Sequence, residues 1–216
     1  MRFPMSISSP RLNVSSPQRH SSNAVVEHRP PITTVLLQPL LSSEIDQAAT
    51  VLSQALLSNP LQLAVYQSRD ETTQGCIKNG FEKILSDSRG QAFSAKVQSR
   101  IVGVYRMKLC VGQPFCSLNQ LSPNLSALTI QEREQSWQES WASHDPMRQH
   151  SHLGPIGVLP EFQRQGVGTQ LLQHYCRWLD DHGLAAYLEA DKWQNVGLYE
   201  KFGFQVIDQA KILGIQ

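Results

Sequence analysis

Gly166 and Gly168 lie in a polar turn, Gln163-Arg164-Gln165-Gly166-Val167-Gly168-Thr169, directly before an apolar repeat of helical spacing. That placement carries a chemistry. The first turn of a helix has backbone N–H groups without intrahelical partners, and the helix dipole adds about half a positive charge there. Residues without a Cβ let an anion approach the backbone closely. A phosphate or diphosphate is the natural guest, and Arg164 can add a charge-assisted contact. The dinucleotide fingerprint Gly-x-Gly-x-x-Gly fails, because Leu171 stands at its third glycine. The P-loop pattern fails in both its spacing and its lysine. The pattern that fits is Gln/Arg-x-x-Gly-x-Gly/Ala.

The elements that must present this turn are legible on either side of it. His152–Val158 (HLGPIGV) reads as a strand, which Pro160 ends. Val167, Leu171, Tyr175 and Trp178 recur at helical intervals, and Gly183 is placed to cap that helix. Leu184–Ala190 (LAAYLEA) is a short apolar run suited to a buried parallel strand. Asn195 opens a short helix through Tyr199 to Phe202, Gly203 closes it, and a last strand begins near Phe204. Strand, glycine turn, helix and strand make a βαβ unit.

The two blocks PEFQRQGVGTQLL and NVGLYEKFGF, in this order and at this distance, resemble the GCN5-related N-acetyltransferase (GNAT) superfamily. The resemblance runs from about His152 to Phe204. It implies an α/β fold whose mixed central β-sheet, flanked by helices, is splayed between two parallel strands, HLGPIGV and LAAYLEA. Acetyl-CoA would enter that opening as cosubstrate. The implied activity is transfer of an acetyl group from acetyl-CoA to an amine, directly within a ternary complex, with no acyl-enzyme and no metal. The acceptor stays open among small amines, antibiotics, peptide N-termini and protein lysines.

Residue by residue, Gln163, Arg164, Gln165, Gly166, Val167, Gly168 and Thr169 match the family loop whose backbone N–H groups hold the CoA diphosphate. The alternative is a helix-start turn whose glycines only aid packing. Ile156, Gly157 and Val158 match the strand whose backbone lies beside the pantetheine arm. The amides of that arm pair like an added half-strand, and a strand N–H polarises the thioester carbonyl. Asn195 is either a contact to the CoA arm or a helix N-cap. Tyr199 matches the tyrosine near the CoA sulfur. A phenol with a pKa of about 10 can donate to a departing thiolate whose thiol has a pKa of about 8.5. Its alternative is packing beside Val196 and Phe202.

An amine acceptor with a Lys-like pKa of about 10.4 must lose a proton first. His152, near the acceptor end of its strand, and Glu189, at the end of the strand across the splay, are the candidate bases. Each has a plainer reading, as an exposed or a hydrogen-bonded strand end, and ordered water is a third route. Trp137 and Trp141, one turn apart, either pack a helix on the sheet or wall the acceptor pocket.

The rest of the chain supplies scaffold. Residues 1–31 begin with a Ser-rich stretch that has no acidic residue before Glu27. They read as a disordered tail, with a transit peptide as the alternative; residues 32–216 read as the N-acetyltransferase domain. Strands are expected over Thr33–Leu37, Ala92–Val97 and Ile101–Leu109. Ser43-Glu44-Ile45-Asp46 resembles a capping box before Ile45, Ala49, Leu52 and Leu56 at helical spacing, and Asn59-Pro60 stops that helix. Further helices are expected near Gly80–Ser86 and over 130–142, the latter opened by a capping box at Thr129-Ile130-Gln131-Glu132. Only twelve residues follow Phe204. The family's further strand, often a wall of the acceptor site, is therefore expected to be short or missing.

Composition narrows the partners. Lys and Arg total 19 against 18 for Asp and Glu, a net charge of +1, so nucleic acid and anionic membrane are not expected partners. No apolar run reaches the roughly 20 residues of a membrane span. Cys76, Cys110, Cys116 and Cys176 form no Cys-x-x-Cys pair, and no histidine joins them at zinc-site spacing. Free thiols and a reducing, cytoplasmic setting are expected, although Cys110 and Cys116 can pair sterically. A homodimer is one expectation, because dimers are frequent in the family. Two rivals from other classes remain: a non-catalytic acyl-CoA-binding sensor, and a nucleotide-phosphate binder using the same loop.

Overall fold

The computed structural model of the chain describes residues 3–7, 35–112 and 128–215. In chain order the strands are β1 (Phe3–Ile7), β2 (Leu36–Pro39), β3 (Gly90–Val97), β4 (Arg100–Cys110), β5 (His150–Val158), β6 (Ala186–Tyr187), β7 (Glu189–Ala190) and β8 (Phe204–Gln209). The helices are α1 (Ile45–Leu56), α2 (Pro60–Tyr66), α3 (Glu71–Ser86), α4 (Ile130–His144), α5 (Val167–His182) and α6 (Trp193–Glu200). A five-stranded sheet runs β2-β3-β4-β5-β6, and a second sheet of three runs β7-β1-β8. β2 to β5 are antiparallel neighbours, whereas β5 and β6 are parallel. The architecture is α/β with a mixed sheet flanked by helices.

Local chemistry explains most elements. Gln98 and Ser99 both hold positive φ, 47° and 69°, which is the turn geometry that matches the twist of the flanking β3 and β4. Phe93 and Tyr105 face each other across those strands as stacked rings with centroids 5.1 Å apart. α4 opens on a reciprocal cap. The Thr129 N–H donates to Glu132 Oε2 at 2.7 Å, and the Glu132 N–H donates to Thr129 Oγ1 at 3.2 Å. α5 ends at Gly183, whose left-handed φ of 61° and N–H to the Asp180 carbonyl close the last turn.

α1 and α5 cover opposite faces of the sheet. A Cβ at Gly157 of β5 would meet Ala55 Cβ at 2.9 Å and Leu52 Cδ2 at 3.1 Å, so α1 lies tight on one face. A Cβ at Gly103 of β4 would meet Leu171 Cδ1 at 3.1 Å and Val167 Cγ1 at 3.2 Å, so α5 lies as close on the other. The core joins Ala49, Leu52, Ile101, Val104, Leu171, Tyr175 and Leu179, all 1% exposed or less. Shortening Leu52 to Ala would cost about 2–5 kcal/mol, the usual penalty for a cavity in such a core.

The structure departs from sequence expectation in several places. Thr33 and Thr34 lie outside the described residues, and β2 runs Leu36–Pro39. Asn59-Pro60 ends α1 but also starts α2. The Asn59 Oδ1 accepts from the Leu61 N–H at 2.9 Å, and proline at the first helical position gives up an N–H that had no partner anyway. α3 begins nine residues before the expected Gly80, because Asp70 caps it by accepting from the Thr73 N–H at 2.7 Å. The run LAAYLEA is two short strands broken at Leu188, and β6 pairs with β5 while β7 pairs with β1. Within the stretch expected to be a disordered tail, Phe3–Ile7 forms β1, parallel to both β7 and β8. A strand there supplies backbone partners to two edges that would otherwise lack them. Residues 8–34 and Cys116 lie outside the described residues. No described helix is long and apolar enough to cross a membrane.

Candidate active site

β5 pairs with β6 at two positions only, Ser151 with Ala186 and His152 with Tyr187. Beyond His152 the two strands diverge. Along that side Leu153 to Val158 have no strand partner among the described residues, whereas the other side stays on β4, with Val104 opposite Gly157 and Gly103 opposite Val158. An unpaired strand edge inside the molecule leaves N–H and C=O groups to be satisfied by something else. Ile156, Gly157 and Val158 lie on this edge. The lack of a Cβ at Gly157 answers to the close packing of α1. Gln163 Nε2 donates to the Val158 carbonyl at 2.9 Å and ties the strand end to the turn that follows.

That turn leads from Pro160–Phe162 into α5. Arg164 and Gly166 both adopt left-handed backbone, φ 57° and 85°. Gln165 is held by a bond from its Nε2 to the Glu161 carbonyl at 2.6 Å. Gly166 is the N-cap of α5, and no side chain caps the helix. The first-turn amides of Val167, Gly168 and Thr169 are therefore left for an external acceptor. A Cβ at Gly166 would meet nothing within 4 Å, and one at Gly168 would meet only Val158 Cγ2, at 3.9 Å. The space over Gly168 is open, so packing does not demand glycine there.

α6 brings a second group of residues. The helix begins at Trp193, with Lys192 as an N-cap that makes no side-chain bond. The N-cap reading of Asn195 is thereby corrected: Asn195 sits inside the first turn with its side chain exposed, and its N–H bonds the Lys192 carbonyl at 2.9 Å. Tyr199 is 7% exposed, and its ring meets Phe204 edge-on at 5.9 Å. Burial pushes the Tyr199 hydroxyl up, with the nearby Asp191 adding to the shift, so it stays a proton-bearing donor.

The two candidate bases are brought together. His152 Nε2 lies 2.8 Å from Glu189 Oε2, across the strands that begin to part there. Glu189 has a side chain only 6% exposed, and its Oε1 is buried without a hydrogen-bond partner among the described residues. On its other side His152 Nδ1 lies 3.3 Å from Asp145 Oδ1. Burial opposes the charged form of His152, but the Glu189 charge and the Asp145 contact outweigh it and raise its pKa well above the ordinary value. His150 shows the same balance, with burial offset by Asp145, and is raised to about 9. The Asp145 carboxyl, in turn, is opposed by burial yet held below the usual carboxylate range by both histidines.

Cys110 joins this group, and sequence spacing gave no sign of it. The ligand atoms of Cys110, Asp145, His150 and His152 all lie within 4.8 Å of one another. The expectation that no histidine gathers with a cysteine holds only along the chain; β4–β5 pairing sets Cys110 directly across from His150. Tyr175 braces the same strand, its hydroxyl donating to the Ser151 carbonyl at 3.0 Å. Trp137 and Trp141 meet edge-on at 4.8 Å on α4, and both indole N–H groups are buried without a partner among the described residues.

Comparison with known proteins gives this geometry a context. The family model "Acetyltransferase (GNAT) family" matches residues 58–204. No curated protein sequence matches the chain. Among solved structures, the histone acetyltransferase HPA2 and related acetyltransferase from Corynebacterium glutamicum ATCC 13032 is 18% identical, with a TM-score of 0.54 over 78% of this chain and 83% of that one. A predicted acetyltransferase from Clostridium acetobutylicum, solved with acetyl-CoA, is 9% identical, with a TM-score of 0.49 over 81% of this chain and 92% of that one. A Trypanosoma brucei acetyltransferase is 14% identical, with a TM-score of 0.47 over 82% of this chain and 96% of that one. At these identities the likeness is one of fold.

Proposed function

The chain belongs to the acetyltransferase (GNAT) family, and on that footing we propose that it moves an acetyl group from acetyl-CoA to an amine by direct transfer within a ternary complex. The observation that carries this reading is the pair of open backbone stretches, the unpaired edge of β5 and the uncapped start of α5, joined by the short turn between them. A long ligand with amides along its arm and a diphosphate at one end suits that pair. The amides around Gly166, Val167, Gly168 and Thr169 hold the diphosphate, assisted by the helix dipole and Arg164. Ile156, Gly157 and Val158 pair with the pantetheine amides, and a strand N–H stabilises the tetrahedral oxyanion. Gln163 and Gln165 shape the turn through their bonds to backbone carbonyls, and Asn195 contacts the arm from α6.

Glu189 takes the proton from the amine through Oε1, which has no hydrogen-bond partner among the described residues. His152 fills a different role from the one its residue type suggests. Flanked by Asp145 and Glu189, it is held as a proton donor, so it fixes the Glu189 carboxylate rather than competing with it. The deprotonated amine attacks the thioester carbonyl, the adduct nitrogen gives its second proton to solvent as the carbon–sulfur bond breaks, and the CoA thiolate leaves with a hydrogen bond or proton from the Tyr199 hydroxyl, which solvent then replaces. The test is release of free thiol from acetyl-CoA against a broad amine panel. Turnover on at least one amine supports the reading, and tight acetyl-CoA binding without turnover on any favours a sensor.

A further inference from the structure

We propose that Cys110, Asp145, His150 and His152 form a four-ligand site for a zinc ion, at the base of the cleft and separate from the groups that hold coenzyme. Strand geometry builds it. His150 and His152 are alternate residues on β5 and so share one face of the sheet. Cys110 is the cross-strand neighbour of His150, and Asp145 comes from the turn between α4 and β5.

The orientation of the imidazoles is the decisive feature. His150 Nδ1 lies 2.8 Å from the Arg148 carbonyl, which can only accept, so that nitrogen carries a proton and Nε2 faces inward. His152 is tied by its Nε2 to Glu189, so its Nδ1 faces inward. Each ring thus has its outer nitrogen fixed by a carbonyl or a carboxylate, the second layer that usually orients metal-bound histidine. The two inner nitrogens converge on one oxygen, lying 3.0 and 3.3 Å from Asp145 Oδ1. With all four donor atoms inside 4.8 Å, little closure is needed to reach a tetrahedron, whose edges are about 3.3–3.8 Å for bonds of about 2.0–2.3 Å.

Donor type and charge select the ion. One thiolate, two imidazoles and one carboxylate are borderline-soft ligands that suit zinc and not magnesium or calcium. A divalent ion with one thiolate, one carboxylate and two neutral imidazoles sums to zero charge, which suits a half-buried place. Four protein ligands leave no open position, so the ion is structural. It joins the end of β4, the turn after α4 and the start of β5, and it fixes the ring that orients Glu189.

The test uses the full chain, stripped with chelator and then given zinc or cobalt(II). After gel filtration the folded wild type is expected to retain one zinc per chain. Its cobalt form is expected to show a thiolate-to-metal charge-transfer band together with intense tetrahedral visible bands. Cys110→Ser is expected to lose the charge-transfer band and to bind zinc about 100-fold more weakly, while circular dichroism shows the same fold. A folded wild type that takes up no zinc, or a cobalt spectrum without the band, or a band that survives in Cys110→Ser, overturns the site. Calorimetry with acetyl-CoA on the same samples reads the coenzyme site separately, so failure of one proposal leaves the other standing.

Discussion

His152 Nε2 and Glu189 Oε2 are 2.8 Å apart across the two strands that diverge to open the cleft. They belong to different sheets, since β5 lies in the five-stranded sheet and β7 in the smaller one. The pair therefore bridges the two sheets, and Glu189 Oε1 is buried without a hydrogen-bond partner among the described residues.

Glu189→Gln separates a role as base from mere packing. The carboxamide still accepts from His152, so the fold and the affinity for acetyl-CoA are expected to persist. The turnover rate is expected to fall about 100-fold or more. Steady-state kinetics check this, and an unchanged rate would assign the proton to water.

Gly168→Ala distinguishes a coenzyme loop from a packing turn. The added Cβ meets only Val158 Cγ2, at 3.9 Å, so the fold has room for it. Alanine is the better helix former by about 1 kcal/mol, so the melting temperature is expected to hold or rise. Coenzyme A affinity is expected to drop about tenfold or more, because the methyl group stands where the diphosphate approaches. Melting curves and calorimetry together check it, and unchanged affinity would return the glycine to the packing account.

Tyr199→Phe keeps the ring that packs on Phe204 and removes the hydroxyl. The expected result is nearly unchanged coenzyme affinity with turnover about 10-fold to 100-fold lower. Equal turnover would leave the thiolate to depart without help from this residue.

Asp191 gives a pH signal of its own. Burial raises its carboxyl to about 6, against a hydrogen bond from Asn59 that lowers it, while the Glu189 charge adds to the rise. A carboxyl raised in the fold stabilises it below the unfolded pKa of 3.8, and that contribution is lost as pH rises through about 6. A shift of roughly two units corresponds to at most about 3 kcal/mol. Asp191→Asn is expected to be the more stable protein near neutrality and to match the wild type near pH 3, since its amide oxygen still accepts from Asn59. Chemical denaturation of both proteins across that range measures the difference, and a constant difference contradicts the assignment.

The sequence carried the βαβ unit because its signals are local. The turn from Gln163 to Thr169, the spacing of Val167, Leu171 and Tyr175 and the cap at Gly183 lie within a few residues of one another, as does the Thr129–Glu132 cap. What it could not carry depends on distant pairing. Cys110 meets His150 only through the register of β4 and β5, across forty residues. The break at Leu188 exists because β6 and β7 serve different sheets, and no apolar run announces that. Asn195 looked like a cap because Asn favours that position, but the helix starts at Trp193, and its side chain stays exposed. α2 was hidden by Pro60, whose two meanings, helix stop and helix start, are told apart only by the Asn59 side chain turning onto the Leu61 amide.

Isothermal titration of the full chain with acetyl-CoA addresses the coenzyme-binding reading at its root. One site per chain is expected, with heat abolished or strongly weakened when Gly168 carries a side chain and the protein remains folded. An absence of heat with both acetyl-CoA and coenzyme A would contradict it.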